Sequence, residues 1–122
     1  MRQLTGHKVN PVNDLLTIEV VDAIGHGGAN HEYRVAWPAQ DHAVSEVTIN
    51  FQNGPIAEHG VNGLTHEALL VILIDRLSAF QAGPYANPYN GDALYHVNCA
   101  LETLHARTRE RMKRGVEGTH QV

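Results

Sequence analysis

Residues 65–84 read THEALLVILIDRLSAFQAGP and carry the clearest helical pattern of the 122-residue chain. Thr65 is a typical N-cap residue, and apolar side chains then recur at helical spacing as far as Phe80. Gly83 followed by Pro84 predicts the helix end, with Gly83 in the left-handed conformation that glycine favours. The segment therefore predicts a helix from Thr65 to about residue 82.

The next segment predicts a second helix, from about Gly91 to Arg114, after a loop of a few residues. Its apolar positions step by three, four and three residues, as in a packing seam: Leu94, Val97, Leu101 and Leu104. Gly115 is expected to end this helix. Two helices joined by so short a loop form an antiparallel hairpin.

Upstream of the hairpin the pattern changes to the two-residue period of β-strands. Residues 15–21, 32–37 and 44–51 are rich in β-branched or alternating apolar side chains, whereas residues 1–13 look irregular. The prediction is an α+β fold in a single domain, residues 1–122. It has an N-terminal antiparallel β-meander of about three strands, residues 14–54, followed by a C-terminal antiparallel two-helix hairpin, residues 65–115, that mediates oligomerisation.

Composition limits the classes of protein to which the chain can belong. With 43 % hydrophobic and 18 % charged residues it reads as globular, and its net charge of −4 argues against general nucleic-acid binding. No apolar run reaches the roughly 20 residues of a membrane span, and the N-terminus has no secretory pattern. The single Cys99 cannot form an internal disulfide, which fits a reducing cytoplasm, and is expected to pack in the core.

Residues 68–74 of the first helix are apolar around nearly the whole helix. Such a helix has no polar side to turn towards water, and one small sheet cannot cover it. The sequence therefore predicts an oligomer whose helices pack across subunits, with symmetric dimers as the default.

The end of the second helix is strongly basic. Residues 107–114 hold five of the nine Lys and Arg residues and a single acidic one, Glu110. Arg107, Arg111 and Arg114 share one helix face, and guanidinium groups in a row suit phosphate. The simpler interpretation is that basic residues in a last turn only favour the helix dipole.

Residues that could support catalysis or metal binding lack the necessary spacing. None of the nine histidines has a partner four residues away: His7, His26, His31, His42, His59, His66, His96, His105 and His120. Ser45 and Ser78 lie in no nucleophile elbow, and Asp75 with Arg76 is expected to be a helix-surface ion pair. The chain is predicted to be a binding protein with no cofactor or metal, rather than an enzyme.

Two clusters of candidate ligand-binding residues lie at opposite ends of the second helix. Phe80, Tyr85 and Asn90 surround the loop, whereas Arg107 and Arg111 lie about 30 Å away at 1.5 Å per residue. One subunit cannot join them, but two antiparallel neighbours can. Aromatic faces, an amide and guanidinium groups suit a small nucleotide with more than one phosphate. The alternatives are core packing for Phe80 and loop anchoring for Tyr85.

Several motifs resemble the bacteriophage Thoeris anti-defence protein 1 family, whose helical hairpin is shared with phage anti-CBASS sponge proteins. They are FQNGPI at residues 51–56, LIDRL at 73–77, FQAGPYA at 80–86, and RT at 107–108 with RGVEGT at 114–119. The resemblance covers about residues 44–120. The loop at residues 85–90 reads YANPYN, where the commoner family pattern is aromatic-Ala-Cys-Arg-Glu-Asn.

The resemblance implies a phage sponge that works in the cytoplasm of the infected bacterial host. Family members are not enzymes; they form hexamers built from dimers and sequester glyco-cyclic ADP-ribose made by host TIR-domain proteins. Some also hold cyclic trinucleotides in separate pockets of the hexamer. The family pocket maps onto Phe80, Asn90, Arg107 and Arg111. The complete set of predicted ligand-binding residues adds their neighbours Tyr85, Thr108 and Arg114. 

Two other functions remain open from the residues alone. One is a nucleotide phosphodiesterase or glycohydrolase that uses a histidine or Asp75 and Glu102. The other is an adaptor that docks an acidic protein on the basic tail, which predicts strong salt sensitivity.

Overall fold

The computed structural model describes residues 1–41 and 43–122, so His42 of the histidine set lies outside the described residues. The chain forms two compact units, Met1–Leu64 and Thr65–Val122. Their division falls between the predicted β part and the predicted hairpin. The interpretation of the chain as a single domain stays a prediction.

Among the described residues of the first unit, four antiparallel strands pair in chain order: β1 (Arg2–Leu4), β2 (Thr17–Val20), β3 (Glu32–Pro38) and β4 (Val44–Asn50). The register pairs Val20 with Tyr33 and Val35 with Val47. Val20 is 1 % exposed, and the Tyr33 ring meets Phe51 edge-on, with 5.7 Å between ring centroids. Short helices α1 (Pro11–Asp14) and α2 (Ile56–His59) lie in the connections.

The predicted meander is confirmed, and the structure adds β1 at its edge. Residues 1–13 were expected to be irregular, but Gln3 pairs with Glu19 and Leu4 with Ile18. A three-residue edge strand is too short to display an alternating pattern, and its pairing with β2 is a long-range contact.

In the second unit, α3 (His66–Gln81) begins as predicted, because the Thr65 side chain accepts a hydrogen bond of 3.1 Å from the Ala68 backbone N–H. The predicted left-handed Gly83 is wrong: it is not among the described glycines with positive φ. Instead, the Gly83 N–H bonds the Phe80 carbonyl oxygen at 3.2 Å, and the Ala86 N–H bonds the Gly83 carbonyl oxygen at 3.3 Å. Successive tight turns therefore end α3.

The second long helix, α4 (Pro88–Arg114), begins three residues earlier than predicted. The Asn87 side chain caps it by accepting from the Asn90 N–H at 2.9 Å, and Pro88 occupies the first helical position. Proline suits that position because its missing N–H has no partner in a first turn. At the other end Gly115 is left-handed, with φ 72° and ψ 23°, as predicted.

Helices α3 and α4 pack against one another along the predicted seam. Leu94, Val97, Leu101 and Leu104 are half-buried, and within the described residues neither helix contains a fully buried side chain.

Cys99 is exposed, so its predicted core position is wrong for this chain alone. A side-chain hydrogen bond to Cys99 is the main reason why the pKa of Tyr95 lies above its usual value.

Candidate functional site

The loop between α3 and α4 presents an aromatic turn, defined here as Phe80, Tyr85 and Asn90. The rings of Phe80 and Tyr85 lie 6.4 Å apart between centroids and are tilted by 52°. Phe80 is half-buried, whereas Tyr85 is 71 % exposed. The turn thus offers an exposed aromatic surface beside the first turn of α4, where Asn90 lies.

Side-chain hydrogen bonds fix the backbone of the aromatic turn. The Gln81 Oε1 accepts from the Asn87 N–H at 3.0 Å, and the Asn87 Nδ2 donates to the Tyr85 carbonyl oxygen at 3.1 Å. Gln81 also lies close to α4: a Cβ added to Gly91 would come within 3.1 Å of the Gln81 Nε2. The turn is therefore organised before any ligand arrives, which lowers the entropy cost of binding.

Arg76 of α3 contacts the aromatic turn and was missed by sequence reasoning. Its guanidinium carbon lies 5.0 Å from the centroid of the Phe80 ring, within cation–π range. Among the described residues it forms no ion pair with Asp75, so that expected pair is wrong. Adjacent helix residues do not face one another, whereas residues four apart do, and the spacing of Arg76 and Phe80 carried this signal.

The far end of α4 forms a cationic helix end, defined here as Arg107, Thr108, Arg111 and Arg114. Arg107 pairs with Glu67 in the first turn of α3, with 3.4 Å between Nη2 and Oε1, and its side chain is 52 % exposed. This ion pair joins the start of one helix to the end of the other, as an antiparallel hairpin requires. At such exposure it contributes little to stability and leaves the guanidinium accessible.

Arg111 holds the C-terminal tail, residues 115–122. Its Nε donates to the Glu117 carboxylate at 3.0 Å, and its Nη1 donates to the Gln121 carbonyl oxygen at 2.7 Å. Its Nη2 donates to the carbonyl oxygens of Val116 at 2.9 Å and Thr119 at 3.2 Å. The side chain is 19 % exposed, so Arg111 is already engaged within its own chain.

Arg114 is also engaged at the cationic helix end. It pairs with Glu110 one helical turn earlier, with 3.0 Å between Nη2 and Oε2, and its Nη1 donates to the Val122 carbonyl oxygen at 2.7 Å. Thr108 is half-buried on the same helix. Arg107 therefore presents the most accessible of the three predicted guanidinium groups.

The structure brings the predicted site residues into two groups rather than one. Phe80, Tyr85 and Asn90 lie at the loop, and the cationic helix end lies beyond it on the same uninterrupted α4. The 21 helical steps from Asn90 to Arg111 span about 30 Å. Within one chain the two groups do not form a common pocket.

Metal-ligating side chains are scattered over the described residues. No group of three or more His, Cys, Asp or Glu side chains in that part of the chain could hold a metal ion. Nor is any described helix both long and apolar enough to cross a membrane.

Replacing Gly115 by alanine is expected to lower the free energy of unfolding by roughly 1–2 kcal/mol, since a side chain disfavours the left-handed conformation. Steric crowding is not the cause of this loss, because no heavy atom lies within 4 Å of a Cβ built on Gly115. Urea denaturation followed by circular dichroism measures the change. Gly6→Ala is the control, because Gly6 has equal space and no positive φ. Equal urea midpoints for Gly115→Ala and Gly6→Ala would contradict this prediction.

Comparison with known proteins gives one clear similarity. No protein-family model matches the chain. The chain is 41 % identical over 97 residues to "Thoeris anti-defense 1" of Bacillus phage SBSphiJ7. The match covers 80 % of this chain and 66 % of that protein, just under two thirds of its length.

Proposed function

This chain belongs to the Thoeris anti-defence 1 family, and we propose that it protects a phage by capturing a signal of the host's Thoeris defence. The captured molecule is a cyclic ADP-ribose isomer, glyco-cyclic ADP-ribose, made by TIR-domain proteins of the infected bacterium. The chain sequesters it in the host cytoplasm without degrading it, so the downstream effector stays inactive. 

The observation that carries this proposal is the presence of two preformed half-sites at opposite ends of the helical hairpin, the aromatic turn and the cationic helix end. The aromatic turn supplies ring faces for an adenine base, and base–aromatic stacking contributes ~1–3 kcal/mol. The cationic helix end supplies guanidinium groups for the two phosphates, at ~1.5–3 kcal/mol for each charged hydrogen bond. A molecule with both a base and a diphosphate matches both halves.

The half-sites meet between subunits in the proposed assembly, a hexamer built from dimers. The exposed apolar surface of α3 supports this: Val71 is 50 % exposed, Ile72 59 % and Leu73 47 %. Residues of this size are seldom left in water as a continuous patch, so a second copy of the hairpin is a natural partner. An antiparallel neighbour then brings its cationic helix end to the aromatic turn.

Capture without turnover follows from the same features. Binding energy that comes from rigid rings and fixed charges gives affinity without any group to attack the ligand. In the sequence, neither Ser45 nor Ser78 lies in a nucleophile elbow. Cyclic trinucleotides are a second ligand class for the assembly, following the same resemblance.

Ligand recovery after denaturation tests the proposal. Purified protein is incubated with glyco-cyclic ADP-ribose, separated from free ligand by gel filtration, and heated to unfold it. Mass spectrometry of the released material is expected to show the intact cyclic molecule at close to its loaded amount. Linear ADP-ribose would point to the hydrolase instead, and an empty protein fraction would contradict capture.

A further inference from the structure

Glu117 occupies the position at Arg111 that an anionic ligand would take. We propose that Glu117 is an internal competitor: a ligand phosphate replaces its carboxylate at the Arg111 Nε, and Glu117 thereby sets the affinity of the cationic helix end for anions. The inference rests on the proposed function and concerns how tightly its site holds anions.

The four hydrogen bonds of Arg111 differ in kind. Those from Nη1 and Nη2 go to main-chain carbonyl oxygens of the tail, so breaking them would unfold residues 116–121. The bond from Nε goes to a side chain, and the Glu117 carboxylate can leave while the tail keeps its path. Val116 is 9 % exposed, and its N–H bonds the Arg111 carbonyl oxygen at 3.1 Å, which anchors the tail independently of Glu117.

Glu117 is the more solvent-exposed partner of this ion pair. The Glu117 side chain is 41 % exposed and the Arg111 side chain is 19 % exposed. A released carboxylate can therefore be hydrated, whereas the guanidinium stays in place beside the tail. An ion pair whose carboxylate is exposed to water contributes only a small stabilisation, so an incoming group with more charge can displace it.

Phosphate and carboxylate oxygens are interchangeable acceptors for a guanidinium N–H, and no covalent bond changes in the exchange. A diphosphate brings more negative charge than the single carboxylate that it replaces. A neutral or singly charged molecule brings no such advantage. Competition from Glu117 thus lowers the affinity of every anion that uses the Arg111 Nε, and a diphosphate, with its greater charge, still displaces the carboxylate.

The test is the Glu117→Gln variant of the full chain, measured by calorimetry with glyco-cyclic ADP-ribose and, separately, with inorganic pyrophosphate. Loss of the competing charge is expected to raise both affinities by about threefold to fivefold, the range of an exposed ion pair. Glu46→Gln is the matched control, because Glu46 also forms an ion pair with an arginine, Arg34 at 3.6 Å, is 53 % exposed, and belongs to neither half-site. The control is expected to leave both affinities nearly unchanged.

Equal gains in the two variants would reveal a general charge effect and overturn the proposal. An unchanged or weaker affinity of Glu117→Gln would also overturn it. The pyrophosphate measurement keeps this inference separable from the proposed function. A wild-type chain that does not bind glyco-cyclic ADP-ribose contradicts the function, whereas a pyrophosphate gain confined to Glu117→Gln still supports competition.

Discussion

Alanine at both Arg107 and Arg111 is expected to abolish capture of glyco-cyclic ADP-ribose, with a loss of affinity on the order of 100-fold or more. Each charged hydrogen bond to a phosphate contributes ~1.5–3 kcal/mol, and a tenfold change in affinity corresponds to about 1.4 kcal/mol. Calorimetry with the purified protein measures the loss, and solution mass shows that the assembly stays intact.

The matched control is the double variant Arg109→Ala with Lys113→Ala, which removes the same charge from the same helix but outside the proposed site. It is expected to bind within about threefold of wild type, because exposed distant charges are screened by salt. The single variants separate two roles of the arginines. Arg107→Ala leaves the tail contacts in place, whereas Arg111→Ala also frees the tail, which amide hydrogen exchange would report. If the double variant Arg107→Ala with Arg111→Ala still captures the ligand fully, the assignment of these two arginines to the pocket is wrong.

Glutamate at Ile72 is expected to dissociate the proposed assembly and to remove ligand capture with it. Ile72 is 59 % exposed in the single chain and belongs to the segment that is apolar on every side. A carboxylate buried without a partner costs several kcal/mol, which corresponds to a loss of subunit affinity of at least about 100-fold. Light scattering coupled to gel filtration at micromolar concentration would show a mass near that of one chain, 13.4 kDa.

Val61→Glu is the control, since Val61 is 78 % exposed but lies outside both long helices. It is expected to keep the wild-type mass and the wild-type affinity. A wild-type protein that is itself a monomer, or an Ile72→Glu variant that keeps its mass, would show that the helices do not pack across subunits. An Ile72→Glu variant that has the mass of a single chain but still captures the ligand would show that the complete pocket lies within one chain.

The helix ends show how far local chemistry alone can predict a fold. Thr65 and Gly115 were predicted correctly because each satisfies backbone groups within its own few residues. Gly83 was not left-handed, because the backbone can leave a helix through tight turns with no positive φ. Pro88 falls in the predicted loop, although proline is favoured at a first helical position, so the predicted start of α4 lies three residues too late.

Only part of the candidate site can likewise be predicted from the sequence. The aromatic spacing and the arginine row are visible in the sequence, because helical periodicity alone places them. The engagement of Arg111 is not visible, since it depends on the path of the tail after two left-handed glycines, Gly115 and Gly118. The position of Arg76 over Phe80 follows from helix spacing, but the adjacent Asp75 offered a more obvious partner.

The length of α4 has a thermodynamic consequence in the proposed assembly. A ligand that touches the aromatic turn of one subunit and the arginines of another stabilises the contact between them, so ligand binding and subunit association are linked equilibria. Each strengthens the other by the same factor. A higher concentration of the signal molecule would therefore drive separate subunits to associate into the assembly that binds it. The number of binding sites would then increase with the concentration of the signal.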